Sequence, residues 1–399
     1  MDEDINFLKM VKALMMLSGI WRLPLKKKSL QILYDKYSVI FQCYFYVFVL
    51  SMVIEIAIIW NYSMDMVVEC LSILILCSIM TIKIALCQTG TIKELFRFIL
   101  KKEDELKKSF DEEAKHIYVK FQNVTFFISK VVTIHTSTSV SCLFLTKYLL
   151  YLDMEKHQTF PNVTLFKKPL PYMTWLPFNS DEHYVSAFTL HLIAGCIGGI
   201  YNCATTIFYL TSMIFICGQL KILQHRIKTL DSSMHKPEVE VATKLRSLIT
   251  DHQTIDAYSK QFNKDVNLIL LADFSLYSIQ VASLFFQLIT ADLNLMNLIF
   301  LIIYLGQMVL QIFSFSWYAN EIKEQSMGVT DAIYEHNWYE QGVSIRKSLL
   351  LMMMRGQKPF TLTVGPFYDM TNGTSLTIMK AAYSCVTLMT TKRSCQSFV

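Results

Sequence analysis

Apolar stretches of membrane-crossing length recur along the chain, separated by shorter polar connections that hold most of the charge. A membrane helix needs roughly 20 apolar residues. Segments 37–60, 66–88, 124–152, 184–217, 266–290 and 293–318 meet that length. The third and fourth exceed it, so they must tilt or project beyond the bilayer.

A seventh segment follows a different pattern. The apolar run 348–354 is bracketed by Arg346, Lys347 and Arg355 and is far too short to span, which predicts a short helix packed against protein. Gly356, Pro359, Gly365, Pro366 and Gly373 then interrupt any regular element. Beyond them, 374–391 predicts one membrane-length helix with a polar stripe. Thr377, Lys380, Ser384, Thr387 and Thr391 recur at helical spacing, while Leu376, Met379, Val386 and Leu388 lie off it. Two readings of the stripe stay open: hydroxyls joining transmembrane helices, or the lining of a water-filled path between subunits.

Composition agrees with the pattern. The 399 residues are 53% hydrophobic and 17% charged, with mean hydropathy +0.36, against roughly 25% charged residues in soluble proteins. The expectation is an all-α integral membrane protein of seven transmembrane helices, with no separate soluble domain. The first ten residues open with three acids and the first long apolar run starts at Tyr37, so no cleaved leader is expected and the first span is retained.

Charge sets the expected orientation. The segment before Tyr37 carries seven Lys and Arg, and 89–123 and 218–265 carry eight each. The alternate connections carry none in 61–65, three in 153–183 and none at 291–292. The positive-inside rule then predicts a cytoplasmic N-terminus and an extracellular C-terminus, inverted relative to a G-protein-coupled receptor. Of the sequons at Asn61, Asn123, Asn162 and Asn372, only Asn162 falls in an outside connection far enough from the bilayer to be glycosylated.

Segment 5–17 places Phe7, Leu8, Val11, Leu14 and Met15 against Asp4, Lys9 and Lys12, predicting an amphipathic helix on the inner membrane surface that ends at "GIWRLP". Lys83, Lys130 and Lys147 lie near span ends, where snorkelling explains them. Glu55, Asp273 and Lys380 lie deeper, and Asp273 and Lys380 share a depth that leaves open a pair between the fifth and seventh helices.

In the fourth span Gly195 and Gly199 form a small-xxx-small pattern. It predicts either close helix packing or a void for a small apolar ligand. The connection 153–183 holds Pro161, Pro169, Pro171 and Pro177 with Trp175 and Phe178, a stiff segment suited to a lid. Polar helical stretches in 218–265 and 319–337, with 344–355, predict a cytoplasmic bundle that joins subunits.

Nine of the ten cysteines lie in spans, so no disulfide framework is expected, and no C-x-x-C, H-E-x-x-H, phosphate loop or G-x-S-x-G occurs. Neither an enzyme nor a metal or cofactor site is expected.

The sequences "LSGIWRLP", "AIYEHNWYEQ", "RKSLLLMMMRGQKPFTLTVGPFY" and "TIMKAAYSCVTLM" resemble those of insect odorant receptors, and the seven-span layout agrees over the whole length. The C-terminal motif is the specific part. The resemblance implies a subunit of a tetrameric, odorant-gated, nonselective cation channel in a sensory neuron's plasma membrane, assembled with a shared co-receptor. The short connection between helices four and five resembles an odorant-tuning subunit, because the co-receptor carries a long insertion there.

The same resemblance implies the organisation of the chain. Residues 1–36 would form a cytoplasmic N-terminal segment, 37–319 six membrane helices with the ligand pocket, 320–356 a cytoplasmic anchor, and 357–399 the pore helix and outer tail. Lys380, Ser384, Thr387, Leu388 and Thr391 would line the pore. The family's constriction is typically Val or Leu, from which Thr387 and Thr391 depart. A lysine at 380 would repel cations unless the path is wide there.

The implied pocket lies in the outer halves of helices two, three, four and six. Depth alone selects Ile73, Leu74, Cys77, Thr138, Cys142, His191, Ala194, Gly195, Leu298, Leu301 and Ile302 as ligand-facing, with a small volatile odorant as partner, lipid around the bundle and no nucleic acid. A gustatory relative would end its seventh helix in T-Y-x-x-x-x-x-Q-F. A G-protein-coupled receptor would carry a D-R-Y-like triplet and N-P-x-x-Y. None of these occurs.

Overall fold

The computed structural model describes residues 5–21, 28–60, 64–157, 168–230, 238–290 and 295–396. Its helices are α1 (Lys9–Leu17), α2 (Lys28–Ile59), α3 (Met64–Cys87), α4 (Gly90–Lys107), α5 (Glu112–His157), α6 (Tyr184–Lys228), α7 (Glu238–Thr290), α8 (Leu295–Glu335), α9 (Val343–Gly356) and α10 (Asn372–Gln396). A short hairpin of β1 (Thr363–Val364) and β2 (Tyr368–Asp369) precedes α10. Seven helices occupy the seven expected segments, and the fold is all-α. By length and composition α2, α5, α6, α7 and α8 can each cross a membrane, and α3 adds a sixth when taken with α4 across a 62° bend. The polar stripe makes α10 the least apolar of the seven.

Helices α5 to α8 hold 46, 45, 53 and 41 residues. At a rise of about 1.5 Å per residue these run roughly 60 to 80 Å, about twice the hydrocarbon core of a bilayer. Their surplus length forms a polar helical bundle with α4 and α9. Lys102 of α4 reaches Asp251 of α7 at 2.8 Å, and Arg226 of α6 reaches Asp111 at the start of α5 at 3.2 Å. Asp111 also accepts the backbone N–H of Ala114 at 3.0 Å, which caps α5.

The centre of the molecule is α6, which touches α1, α2, α3, α5, α7 and α8. From Cys203 to Gly218 every residue is buried, as expected for a helix apolar on all sides. Two glutamines of α8 are paired across helices: Gln311 donates to Thr206 of α6 at 2.7 Å, and Gln307 to Thr136 of α5 at 3.2 Å. Exposed Ile40, Val47, Leu50 and Val53 on α2 form an outer face suited to lipid.

The expectations for α1, Asp273 and Lys83 are corrected. The apolar face of α1 does not rest on lipid; Phe7, Leu8, Val11 and Met15 are buried in protein, with the Phe7 ring 5.2 Å from Tyr118 and 5.8 Å from Phe215. The backbone N–H of Phe7 also donates to Glu103 at 3.0 Å, an anchor that lipid would not offer. The connection 89–123 holds α4, where Ile92, Leu95, Phe96, Ile99 and Leu106 fall on one face and bury it. Finally, Asp273 pairs with Lys83 at 2.6 Å rather than with Lys380, so Lys83 does not snorkel. Lys83 is 1% exposed, while Lys380 lies on the exposed face of α10.

The N-terminal motif has a clear role. Gly19 adopts φ +67°, and an added Cβ would lie 3.0 Å from the Ser38 Cα, a conformation and a closeness that favour glycine. The turn delivers Trp21, whose Nε1 donates to the Cys87 carbonyl at 3.1 Å and whose ring meets Phe96 edge-on at 3.9 Å.

Candidate functional site

A second apolar cluster, distinct from the main core, lies between α2, α3 and α6. Phe48, Met52, Val67, Cys70 and Ala194 are buried in it, with Ile73, Leu74, Cys77, Tyr172 and Met173 packed against them. His191 of α6 is 1% exposed and shares a 2.7 Å hydrogen bond with Thr174, while its Nδ1 has no protein partner. Around it the aromatic rings meet edge-on: Tyr172 to His191 at 5.7 Å, Phe48 to Tyr172 at 5.4 Å and Phe144 to Tyr172 at 6.0 Å. An apolar wall with a few fixed polar groups is the usual make-up of a small-molecule site.

The segment after residue 168 is the lid over this cluster. Trp175 N–H donates to the Ser51 carbonyl of α2 at 3.1 Å, and the Tyr184 hydroxyl donates to the Pro169 carbonyl at 3.0 Å. Lys168 holds the base of the lid, donating through Nζ to the Asp181 carbonyl at 2.8 Å and standing 5.8 Å from the Tyr151 and Tyr184 rings. Those two rings stack at 4.1 Å, joining α5 to α6. Pro161 and Asn162 lie outside the described residues.

The glycine step in α6 is filled by protein. A Cβ on Gly195 would lie 2.6 Å from Phe144 Cε2 and 3.0 Å from the Tyr172 hydroxyl, and one on Gly199 would lie 3.3 Å from Val140. Close packing is therefore the arrangement present, with two movable aromatic side chains occupying the Gly195 step.

Of the ligand-facing residues selected by depth, Ile73, Leu74, Cys77, His191, Ala194 and Gly195 converge on this cluster. Leu301 is buried and Leu298 half-buried on α8, Cys142 is half-buried on α5, and Thr138 and Ile302 are exposed. The Thr138 hydroxyl bonds its own helix at the Ile134 carbonyl, 2.9 Å away. Depth had not selected Phe48, Met52, Phe144 or Tyr172. The buried positions Phe48, Met52, Glu55 and Ile59 recur every three or four residues along α2, but exposed Val47, Leu50 and Val53 are equally apolar, so the sequence does not single them out. Nothing in the loop's composition marked Tyr172.

A groove of about 720 Å³ runs along α5 from His116 to Ile128, walled on its other side by Tyr318. It is an open furrow on the surface, far from the lidded cluster, and lacks the enclosure an apolar ligand needs. Among the described residues no group of His, Cys, Asp and Glu could hold a metal ion.

On α10 the inward face is Ser375, Ile378, Met379 and Ala382. Thr377, Lys380, Ser384 and Thr387 are exposed on the other side. Thr377 and Ser384 donate to carbonyls of their own helix, at 2.9 and 3.0 Å. Leu388 and Thr391 belong to α10, but their side chains lie outside the described set.

Long apolar helices around one buried central helix define a multi-pass helical membrane protein. The sequence model of the 7tm odorant receptor family matches residues 63–383, and the chain belongs to that family. Members are receptors rather than enzymes. The chain is 30% identical over 225 residues to Odorant receptor 10 of Aedes albopictus, covering 55% of this chain and 60% of that one. It is 31% identical over 191 residues to Odorant receptor Or2 of Anopheles gambiae, covering 46% and 50%. The matched stretches thus span about half to three-fifths of these curated relatives. The fold is that of the insect olfactory receptor OR5 from Machilis hrabei, with TM-score 0.76, 16% identity, and 96% of this chain and 97% of that chain covered. The same receptor in complex with eugenol gives TM-score 0.77, with the same identity and coverage.

Proposed function

We propose that this chain is the odorant-binding subunit of a heteromeric, ligand-gated, nonselective cation channel in the plasma membrane, formed with a shared olfactory co-receptor. The observation that carries the reading is the aromatic cluster of Phe48, Phe144, Tyr172 and His191 under an anchored lid, in a family whose solved relative is described in complex with eugenol. An apolar volatile displaces the Phe144 and Tyr172 side chains from the Gly195 step and is oriented by the unpartnered Nδ1 of His191. Binding biases the bundle toward the arrangement with an open pore.

In this reading residues 1–36 are cytoplasmic and 37–319 carry the pocket. Residues 320–356 belong to the anchor where subunits meet, and 357–399 form the pore helix and outer tail. The exposed stripe of Thr377, Lys380, Ser384 and Thr387 favours a water-lined path over contacts within the subunit. Leu388 and Thr391 continue it by sequence. The orientation follows from charge, with the N-terminus inside. It puts Asn162 where a glycan can be added, so Asn162→Gln should lower apparent mass on a gel; an unchanged mass counts against the topology.

The functional test is whole-cell current in cells with G-protein signalling blocked. Expression with an insect co-receptor should give a prompt cation current to some volatiles of a panel, and expression alone should give none. A second messenger-dependent response, or full current from this chain alone, would contradict the tuning-subunit reading.

A further inference from the structure

Lys83 of α3 and Asp273 of α7 form an ion pair at 2.6 Å with each side chain 1% exposed. Both lie within membrane-spanning segments. Charges there are costly and persist when they serve a purpose, and removing one partner of a buried pair leaves the other stranded. At this point α3 and α7 therefore resist being drawn apart and move together.

The two ends of the connection have definite neighbours. On α3, Lys83 follows Cys77 by six residues, about 9 Å along the axis at about 1.5 Å per residue, and Cys77 packs against the lidded cluster. On α7, Asp273 follows Asn267, whose carbonyl accepts the Gly365 N–H at 2.9 Å, and Asn263, whose side-chain oxygen accepts the Thr363 N–H at 2.8 Å. Gly365, at φ +61°, lets the hairpin seat against Leu271. That hairpin leads directly into α10, which itself packs along α7.

The surroundings allow the pair to be rearranged. Asp273 Oδ1 is buried without a hydrogen-bond partner, and the hydroxyls of Tyr209, beside Cys87, and Tyr277, beside Gln311, lie within electrostatic reach of Asp273. A shifted carboxylate thus has two hydroxyl groups close by to turn toward.

We propose that the Lys83–Asp273 pair couples the odorant site to the pore helix, converting a displacement of α3 into a displacement of α7 and of the hairpin and α10 bonded to it. The inference rests on the odorant-gated channel reading and names residues that touch neither ligand nor ion; their role is positioning. Coupling of this kind is established by paired substitutions rather than by proximity.

The test uses the full heteromer with an insect co-receptor, comparing Lys83→Met, Asp273→Asn, Lys83→Arg and the exchange Lys83→Asp with Asp273→Lys. Currents are scaled to surface-biotinylated protein, and odorant binding is read separately as the ligand-induced rise in Tm of purified heteromer. Each neutralising substitution should raise the half-maximal odorant concentration by about tenfold and lower the maximal current, with the Tm rise retained. Lys83→Arg should keep near-normal gating, and the exchange should recover more current than either single change. Unaltered concentration–response curves in the neutral variants, or loss of current that tracks loss of the Tm rise, would overturn the inference. Silence of the unmodified heteromer to every odorant would defeat the channel reading, and this inference with it.

Discussion

Gly195 lies directly beneath the ring of Phe144, so closely that a single methyl group on the glycine would sit 2.6 Å from Phe144 Cε2. Two helices approach here because one side chain is missing, and the space is taken by the Phe144 ring and the Tyr172 hydroxyl. Gly195→Ala should force those rings aside at a cost of about 1–3 kcal/mol. The expected result is receptor at the surface with weakened responses to the bulkier members of a homologous odorant series. Phe144→Leu should shift preference the other way, toward bulkier volatiles. Concentration–response curves across the series measure both.

The lid is closed from within by Thr174 and His191, which share a 2.7 Å hydrogen bond. Replacing His191 by Phe keeps the ring and removes the bond, a loss of about 1 kcal/mol. The half-maximal odorant concentration should change severalfold, with surface protein unchanged. Thr174→Val should change it in the same direction but by less, because it leaves the Nδ1 that orients the odorant, and the double variant should add little to His191→Phe alone.

Outside the membrane, His252 stacks on Phe360 at 5.3 Å where α7 meets the segment after α9. Burial first, and the nearby Arg355 second, lower its pKa below the ordinary 6.5, while Asp256 opposes them. A group whose folded pKa is lowered contributes stability above its unfolded pKa, and that contribution is lost as pH falls. The Tm of purified protein should therefore decline as pH drops below about 6.5. His252→Phe should remove that part of the decline.

Much of this architecture is legible in the sequence because bilayer physics demands it. Segment 184–217 reads as a span because it is mostly apolar and carries no Asp, Glu, Lys or Arg, and α6 fulfils it, while Gly365 and Pro366 correctly mark a break before α10. Periodicity does not reveal what an amphipathic face will meet. The same pattern suits lipid or protein, so α1 was expected on the membrane and is buried against Tyr118 and Phe215. Lys83 shows a similar limit, since its position near a span end suggests snorkelling, and only the approach of α7 brings Asp273 to it. In the candidate site, depth found His191 and Gly195 on α6. It could not find Phe144, whose facing depends on helix rotation, or Tyr172, which arrives by way of a loop.

On α10, the face away from the subunit carries Thr387. Thr387→Cys in the heteromer should react with an external thiol reagent faster during odorant application than at rest, giving progressive loss of current. Equal rates in both conditions, or no reaction, would remove Thr387 from the conduction path.

The most direct test of an odorant lodging under the Tyr172 lid is a cryo-electron microscopy structure of the heteromer bound to an activating volatile. The expected result is ligand density in contact with Tyr172, His191 and Cys77, with the Phe144 ring turned away from Gly195. Ligand density elsewhere, with Phe144 still over Gly195, would contradict it.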